Sequence, residues 1–290
     1  MKTKTNVQHS IEEFGILEVT MSGIRVEKIP VRVKPAVPFP HKHDFYQLMF
    51  VTSGKGAHQI DFKKYDVRPN QLYIMKPGQI HSWQLSNNID GFIIEFKLDT
   101  LQEENFGGME LLGRVLFLPD LLELKDQVIQ KDLQKVIEVM HKEFQNKSIF
   151  NDLCLRNYLS GLLLQVLRES KASLMKDRKH ITPERFRLLV ENHYRSEHRV
   201  EFYAREMKLT PKALTMQVSR TYGKSPRALI QERCMLEAKR FLAFSDLSIA
   251  EIGYELGFED ANYFTRFFRL NEKVTPVQFR KRLKSKEETA

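Results

Sequence analysis

Between Phe45 and Phe96 the chain alternates short apolar segments with polar ones and breaks at turn residues, as a compact antiparallel β structure does. The predicted strands are Tyr46 to Val51, Ala57 to Phe62, Leu72 to Met75, His81 to Leu85 and Phe92 to Phe96. Ser53-Gly54-Lys55-Gly56, Arg68-Pro69-Asn70, Lys76-Pro77-Gly78 and Asn87-Asn88 supply the turns between them. A small β-barrel or sandwich follows. From Leu122 the period becomes helical: Leu122, Leu124, Val128, Ile129, Leu133, Val136, Ile137 and Met140 recur at three- and four-residue steps. Leu153, Leu155, Leu159, Leu162, Leu163, Val166 and Leu167 repeat the pattern. This helical pair either packs on the β domain or meets a second subunit in a homodimer. A polar, basic stretch follows, and Thr182-Pro183 opens a new helix. The fold class is therefore α+β and multidomain. Its expected parts are a β domain over 1–120, the helical pair over 121–170, a linker over 171–181 and an all-α domain over 182–285.

The all-α part repeats itself. Ala204, Met207, Leu209, Leu214, Val218, Ser225-Pro226 and Leu229 are answered by Gly253, Leu256, Phe258, Phe264, Phe268, Thr275-Pro276 and Phe279. The offset is 49 residues and then 50, so one residue is inserted in the second turn. Each copy reads as a helix-turn-helix: a small residue lets the first helix cross close over the second, and apolar residues beyond it seal the angle. Thr210 with Pro211, Asp260, and Ser248 with Glu251 are the expected caps. An ordinary helical domain shares the apolar spacing, but it has no need of the pattern twice beside basic residues.

Charge sharpens the picture once it is located. Of 46 Lys and Arg and 37 Asp and Glu, residues 171–290 hold 25 and 16, so the first 170 residues are balanced and the whole net charge of +9 lies in the C-terminal part. That distribution fits a polyanion-binding module attached to a neutral one. Cys154 and Cys234 form no metal-ligand spacing and fit buried thiols in a reducing compartment. The basic N-terminus lacks a following apolar stretch, and no apolar run approaches the ~18 residues of a membrane span. A soluble, cytoplasmic protein without membrane association is expected.

The stretches Asp246-Leu247-Ser248-Ile249-Ala250-Glu251-Ile252-Gly253 and Gly257-Phe258-Glu259-Asp260-Ala261-Asn262-Tyr263-Phe264-Thr265-Arg266-Phe267-Phe268, with Arg233, Leu236, Ala238, Phe241 and Leu242 before them, resemble the AraC/XylS family of transcription regulators. The resemblance runs from about Thr182 to Leu283. It implies two recognition helices in successive major grooves of double-stranded DNA, held apart by a connecting helix. Carried over by position, Lys212, Thr215, Met216 and Ser219 face DNA in the first helix, and Asn262, Thr265, Arg266 and Arg269 in the second. Arg266 can pair with a guanine edge and Asn262 with an adenine edge, while Met216 offers only apolar contact, for instance to a thymine methyl. Arg220, Lys224 and the tail Arg280-Lys281-Arg282 suit phosphates. Where the family has Gly, the second copy has Lys273, which departs from the expected turn.

The segments Pro40-His41-Lys42-His43-Asp44-Phe45-Tyr46-Gln47, followed by Gly54, and Pro77-Gly78-Gln79-Ile80-His81 resemble the two motifs of the cupin barrel, an effector domain often joined to this DNA-binding module. Metal-binding cupins place a Glu where Gln47 stands; the imidazoles of His41, His43 and His81 could still hold an ion such as Zn²⁺, Cu²⁺ or Ni²⁺, but the resemblance to regulatory cupins, which generally keep the scaffold for sensing small molecules, favours no metal or other cofactor. Tyr46, Gln47, His58, Tyr73, His81 and Trp83 are the candidate lining for a small polar effector such as a sugar. The expected protein is not an enzyme. It is an effector-controlled regulator, on balance an activator, that binds DNA and engages RNA polymerase. The alternatives are a cupin metalloenzyme with a helical appendage and a nucleoid-type DNA binder with a vestigial barrel.

Overall fold

A computed structural model of the chain describes residues 8–9, 23–29, 40–97, 100, 114–116, 118–146, 149–170 and 181–287. The described residues form two compact units, one ending at Ser170 and one beginning at Ile181. The expected linker over 171–181 lies, but for its last residue, outside the described residues.

Ten strands build the first unit: β1 (Gln8–His9), β2 (Ile24–Lys28), β3 (His41–His43), β4 (Tyr46–Ser53), β5 (Gly56–Ile60), β6 (Lys63–Val67), β7 (Gln71–Met75), β8 (Ile80–Leu85), β9 (Asp90–Phe96) and β10 (Leu121–Glu123). The described strands form two separate five-stranded sheets, in the orders β1-β3-β8-β5-β6 and β10-β7-β4-β9-β2, so of the barrel or sandwich expected from the sequence it is the unclosed sandwich that they build. Met49, Val51, Tyr73, Met75 and Ile93 from one sheet share a core with Ile60, Val67 and Trp83 from the other. Because side chains alternate between faces along a strand, the same alternation turns Tyr46, Leu48 and Phe50 to the opposite side of their sheet.

Two helices follow, α1 (Gln127–Gln145) and α2 (Asn151–Glu169). The expected helical run began at Leu122, but Leu121–Glu123 pairs with Tyr73, Leu72 and Gln71 as an edge strand. The helix starts only where the Asp126 carboxylate accepts from the Val128 and Ile129 amides. Leu133, Ile137 and Met140 of α1 and Leu155, Leu159, Leu162, Leu163, Val166 and Leu167 of α2 are buried, and α1 packs on β2. The Asn151 side chain closes the turn between them by donating to the Glu143 and Asn146 carbonyls.

The second unit is helical: α3 (Ile181–His193), α4 (Val200–Glu206), α5 (Pro211–Tyr222), α6 (Pro226–Phe244), α7 (Ile249–Glu255), α8 (Ala261–Glu272) and α9 (Pro276–Glu287). The repeat is visible in three dimensions. Helices α4 and α7 have seven residues each and α5 and α8 twelve each, at offsets of 49 and 50. The Leu209 amide donates to the Ala204 carbonyl at 2.8 Å, and its counterpart Phe258 to Gly253 at 2.9 Å. One core, from Phe186 through Leu214, Ala238 and Ile252 to Phe268, runs through both copies. No helix among the described residues is long and apolar enough to cross a membrane.

Candidate functional site

Recognition helix α5 is capped by Thr210, whose hydroxyl accepts from the Ala213 amide, with Pro211 at its first position. Helix α8 is capped by Asp260, which accepts from the Asn262 amide at 2.9 Å, and α7 by the Ser248–Glu251 capping box. Buried Leu214 and Val218 anchor one side of α5, and buried Phe264 and Phe268 one side of α8. Helical spacing then puts Lys212, Thr215, Met216 and Ser219, and likewise Asn262, Thr265, Arg266 and Arg269, on the opposite sides. Lys212, Thr215, Met216, Asn262, Arg266 and Arg269 are exposed, and Ser219 and Thr265 half-buried. Met216 keeps 66% of its surface open on this face.

The basic residues outside these helices divide. Arg220 is exposed beside the first face. Lys224 is also exposed, but its Nζ lies 2.7 Å from the Glu232 carboxylate. Arg280 is not a free phosphate ligand as the sequence suggested: its guanidinium donates to the Leu242 and Leu247 carbonyls at 3.3 and 2.7 Å, tying α9 to the end of α6. Lys281 and Arg282 are exposed. Lys273 adopts the left-handed backbone expected of glycine, with φ 62°, and its own Nζ donates to the Leu270 carbonyl at 2.9 Å, so the second turn forms despite the substitution.

A second constellation lies between the sheets of the first unit. Strand pairing sets His41 opposite His81, and His58 opposite Trp83, on one sheet; Gln47 lies opposite Met75 and Glu95 on the other. The rings of His41 and His43 stand 4.6 and 5.1 Å from that of His81, and His58 stands 4.8 Å from Tyr73 and 5.6 Å from Trp83. All these side chains are buried. Burial pushes His58 down to about 3 against the pull of Asp120. Burial and the neighbouring imidazoles hold His81 well below its usual value. His58 and His81 are thus neutral near pH 7, each ring offering one donor and one acceptor.

Gln47 Nε2 donates to Glu95 at 2.8 Å, while Gln47 Oε1 and both nitrogens of His58 have no hydrogen-bond partner among the described residues. Buried polar atoms are ordinarily paired. Here the His58 ring stands beside the Trp83 indole. Tyr46 does not join this group; it stacks on Phe96 at 5.3 Å on the other face of the sheet. Glu95, fully buried beside Gln47, escaped the sequence reading because only the β4–β9 register brings it there. Among the described residues no group of three or more His, Cys, Asp or Glu is arranged to hold a metal ion, His41, His43 and His81 included.

Comparison with known proteins resolves what these two units are. Residues 36–163 match the AraC-like ligand binding domain, and residues 203–282 match a helix-turn-helix domain, together more than two thirds of the chain. The chain belongs to the AraC family of transcription regulators. Among its AraC-family relatives, the HTH-type transcriptional activator RhaS of Escherichia coli O139:H28 is 23% identical over 259 residues, 86% of this chain and 91% of the relative. RhaS of Salmonella schwarzengrund is 26% identical over 271 residues, covering 87% and 92%. Among solved structures, ToxT from Vibrio cholerae aligns over 89% of this chain and 97% of its own, at 16% identity and a TM-score of 0.40. As an AraC-type regulator the protein binds DNA through its helical unit and carries its ligand-binding domain at the other end of the chain.

Proposed function

We propose that this regulator reads a two-part operator, with α5 and α8 in successive major grooves, under the control of a small neutral ligand held between the sheets. The observation that carries the reading is the pair of equivalent outward faces. The second, with exposed Asn262, Arg266 and Arg269, has the stronger base and phosphate chemistry; the first, with Lys212, Thr215 and Met216, contributes docking as much as specificity. For the effector, Gln47, His58, Tyr73, His81 and Trp83 combine aromatic faces with polar atoms that have no charge to offer, which suits an uncharged polyol or similar molecule better than an ion. Activation is the reading that the name of the RhaS relatives favours, and engagement of RNA polymerase in a cytoplasmic setting would follow from it. A homodimer through the helical pair is supported by Phe150, Leu153 and Leu164, which remain exposed at its surface.

The decisive test is selection of bound fragments from random-sequence DNA, followed by gel shifts at several salt concentrations with Arg266→Ala. The wild type should select one bipartite sequence. The variant should lose discrimination by roughly 1–3 kcal/mol at one base position and retain weak, salt-sensitive binding. Unchanged base preference would refute the assignment of α8.

A further inference from the structure

Beside the core that runs through both helix-turn-helix copies, the end of α3, the connecting helix α6 and the turn after α7 meet in a polar cluster. Glu237 of α6 is 1% exposed, and its carboxylate receives Arg233 and Arg240 at 3.0 Å and Arg195 at 3.2 Å. Arg233 also donates to Glu191 of α3 at 2.7 Å and lies 3.8 Å over the Tyr194 ring. Arg195 Nε in turn donates to the Tyr194 hydroxyl at 3.0 Å. The end of α3 and the connecting helix are therefore locked together. The backbone of Arg195 then touches the second copy: a Cβ built on Gly257, in the turn after α7, would stand 2.1 Å from the Arg195 carbonyl oxygen and 3.3 Å from Ser196 Cα. His198 adds a contact, its ring 4.8 Å from Phe258 and its Nε2 3.1 Å from the Tyr194 carbonyl. Beside these contacts the junction is open, a cleft of about 320 Å³ lined by Arg199, Arg227, Phe258 and Tyr263 among others.

The repeat itself shows that Gly257 is not required by its backbone angle alone. Its counterpart in the first copy is Lys208, which holds the same left-handed conformation at φ 56° against 74° for Gly257. The other paired turn runs the opposite way, Gly223 at 66° against Lys273 at 62°. A Cβ on Gly223 would meet nothing within 4 Å. Left-handed turns in this domain accept lysine wherever there is room. Only at Gly257 does a neighbour forbid a side chain.

We infer that the Glu237 cluster, closed by Gly257 on Arg195, is a phasing brace that sets the distance and rotation between α5 and α8, making Arg195, Arg233, Glu237 and Gly257 determinants of operator spacing. The inference rests on the two-groove reading proposed above. Successive major grooves lie about 34–36 Å apart, and one added base pair shifts the second by about 3.4 Å and turns it by roughly 35°. Any side chain at Gly257 must drive its turn away from Arg195 by over an ångström before ordinary contact is restored. That displaces α8, which follows four residues later, relative to α5.

The test uses the full chain and the bipartite site that the wild type itself selects from random DNA, with the gap between half-sites shortened or lengthened by one base pair. The wild type should favour the selected gap by about tenfold or more. Gly257→Ala should bind that gap about tenfold more weakly and discriminate among the three gaps by no more than about threefold. Gly223→Ala, with the same backbone strain and no neighbour, should keep the wild-type preference. Should Gly257→Ala fail to fold, Glu237→Gln, which keeps the shape and removes the charge, should show the same flattening. If either folded variant keeps the wild-type gap preference, the brace is overturned. If the wild type selects no bipartite site, the two-groove reading itself has failed.

Discussion

Lowering the pH from 8 to 5 should weaken the N-terminal unit by an amount that the buried imidazoles dictate. His58 has no exposed surface, and burial pushes its pKa down to about 3. In the unfolded chain it titrates near 6.5. The unfolded chain therefore takes up the proton first, so stability from His58 is fully present above about pH 6.5 and is lost progressively as the pH falls towards 3. One pKa unit corresponds to about 1.4 kcal/mol, which gives a loss of about 2 kcal/mol by pH 5 and about 5 kcal/mol across the window. His81, shifted in the same direction, adds to it. Trp83 is the protein's single tryptophan and lies in this cluster, so its fluorescence reports the N-terminal unit alone during urea unfolding. With an m value of about 2 kcal/mol/M, His58 by itself should lower the midpoint by about 1 M between pH 8 and pH 5. His58→Phe should remove that share of the pH dependence whatever it does to absolute stability. A midpoint that moves equally with pH in wild type and variant would refute a neutral, buried His58.

Three further outcomes follow from the helical unit. Glu237→Ala leaves Arg233 and Arg240, both largely buried, facing each other beside the exposed Arg195 and should cost about 3–5 kcal/mol, read by calorimetry as a lowered transition for the C-terminal unit while the Trp83 transition is unmoved. Ser248→Ala removes the capping box on α7 and should cost about 1 kcal/mol in chemical denaturation. Arg269→Gln should reduce the slope of log affinity against log salt by about 1 if the residue meets a phosphate, and leave base preference intact.

The helical unit was the more legible part of the chain for physical reasons. Its apolar spacing occurs twice, each copy carries a side-chain cap that can be named from sequence, and helices are built from contacts three and four residues apart. Thr210, Asp260 and the Ser248–Glu251 box all stand where that local chemistry put them. The brace was invisible because Arg195 and Glu237 lie 42 residues apart and nothing local marks either one. In the β unit, the strands Ile24–Lys28 and Lys63–Val67 escaped detection because each carries only two apolar residues in five, too few for alternation to stand out. Register decided the rest: Tyr46 and Gln47 are adjacent in sequence, yet only Gln47 faces the other sheet, and Glu95 enters the cluster by pairing with it. The choice between closed barrel and open sandwich depends on which edge strands pair, which no single segment encodes.

The contrast between Lys208 and Gly257 also bears on how this domain can be rearranged. Two similar modules invite recombination, yet a chain with its copies exchanged would bring a lysine Cβ to the place where the Arg195 carbonyl leaves no room. The modules are homologous but not interchangeable. Chimeras that swap whole helix-turn-helix copies between regulators of this architecture should therefore transfer binding only when the residue at the Gly257 position travels with its place in the chain and not with its module.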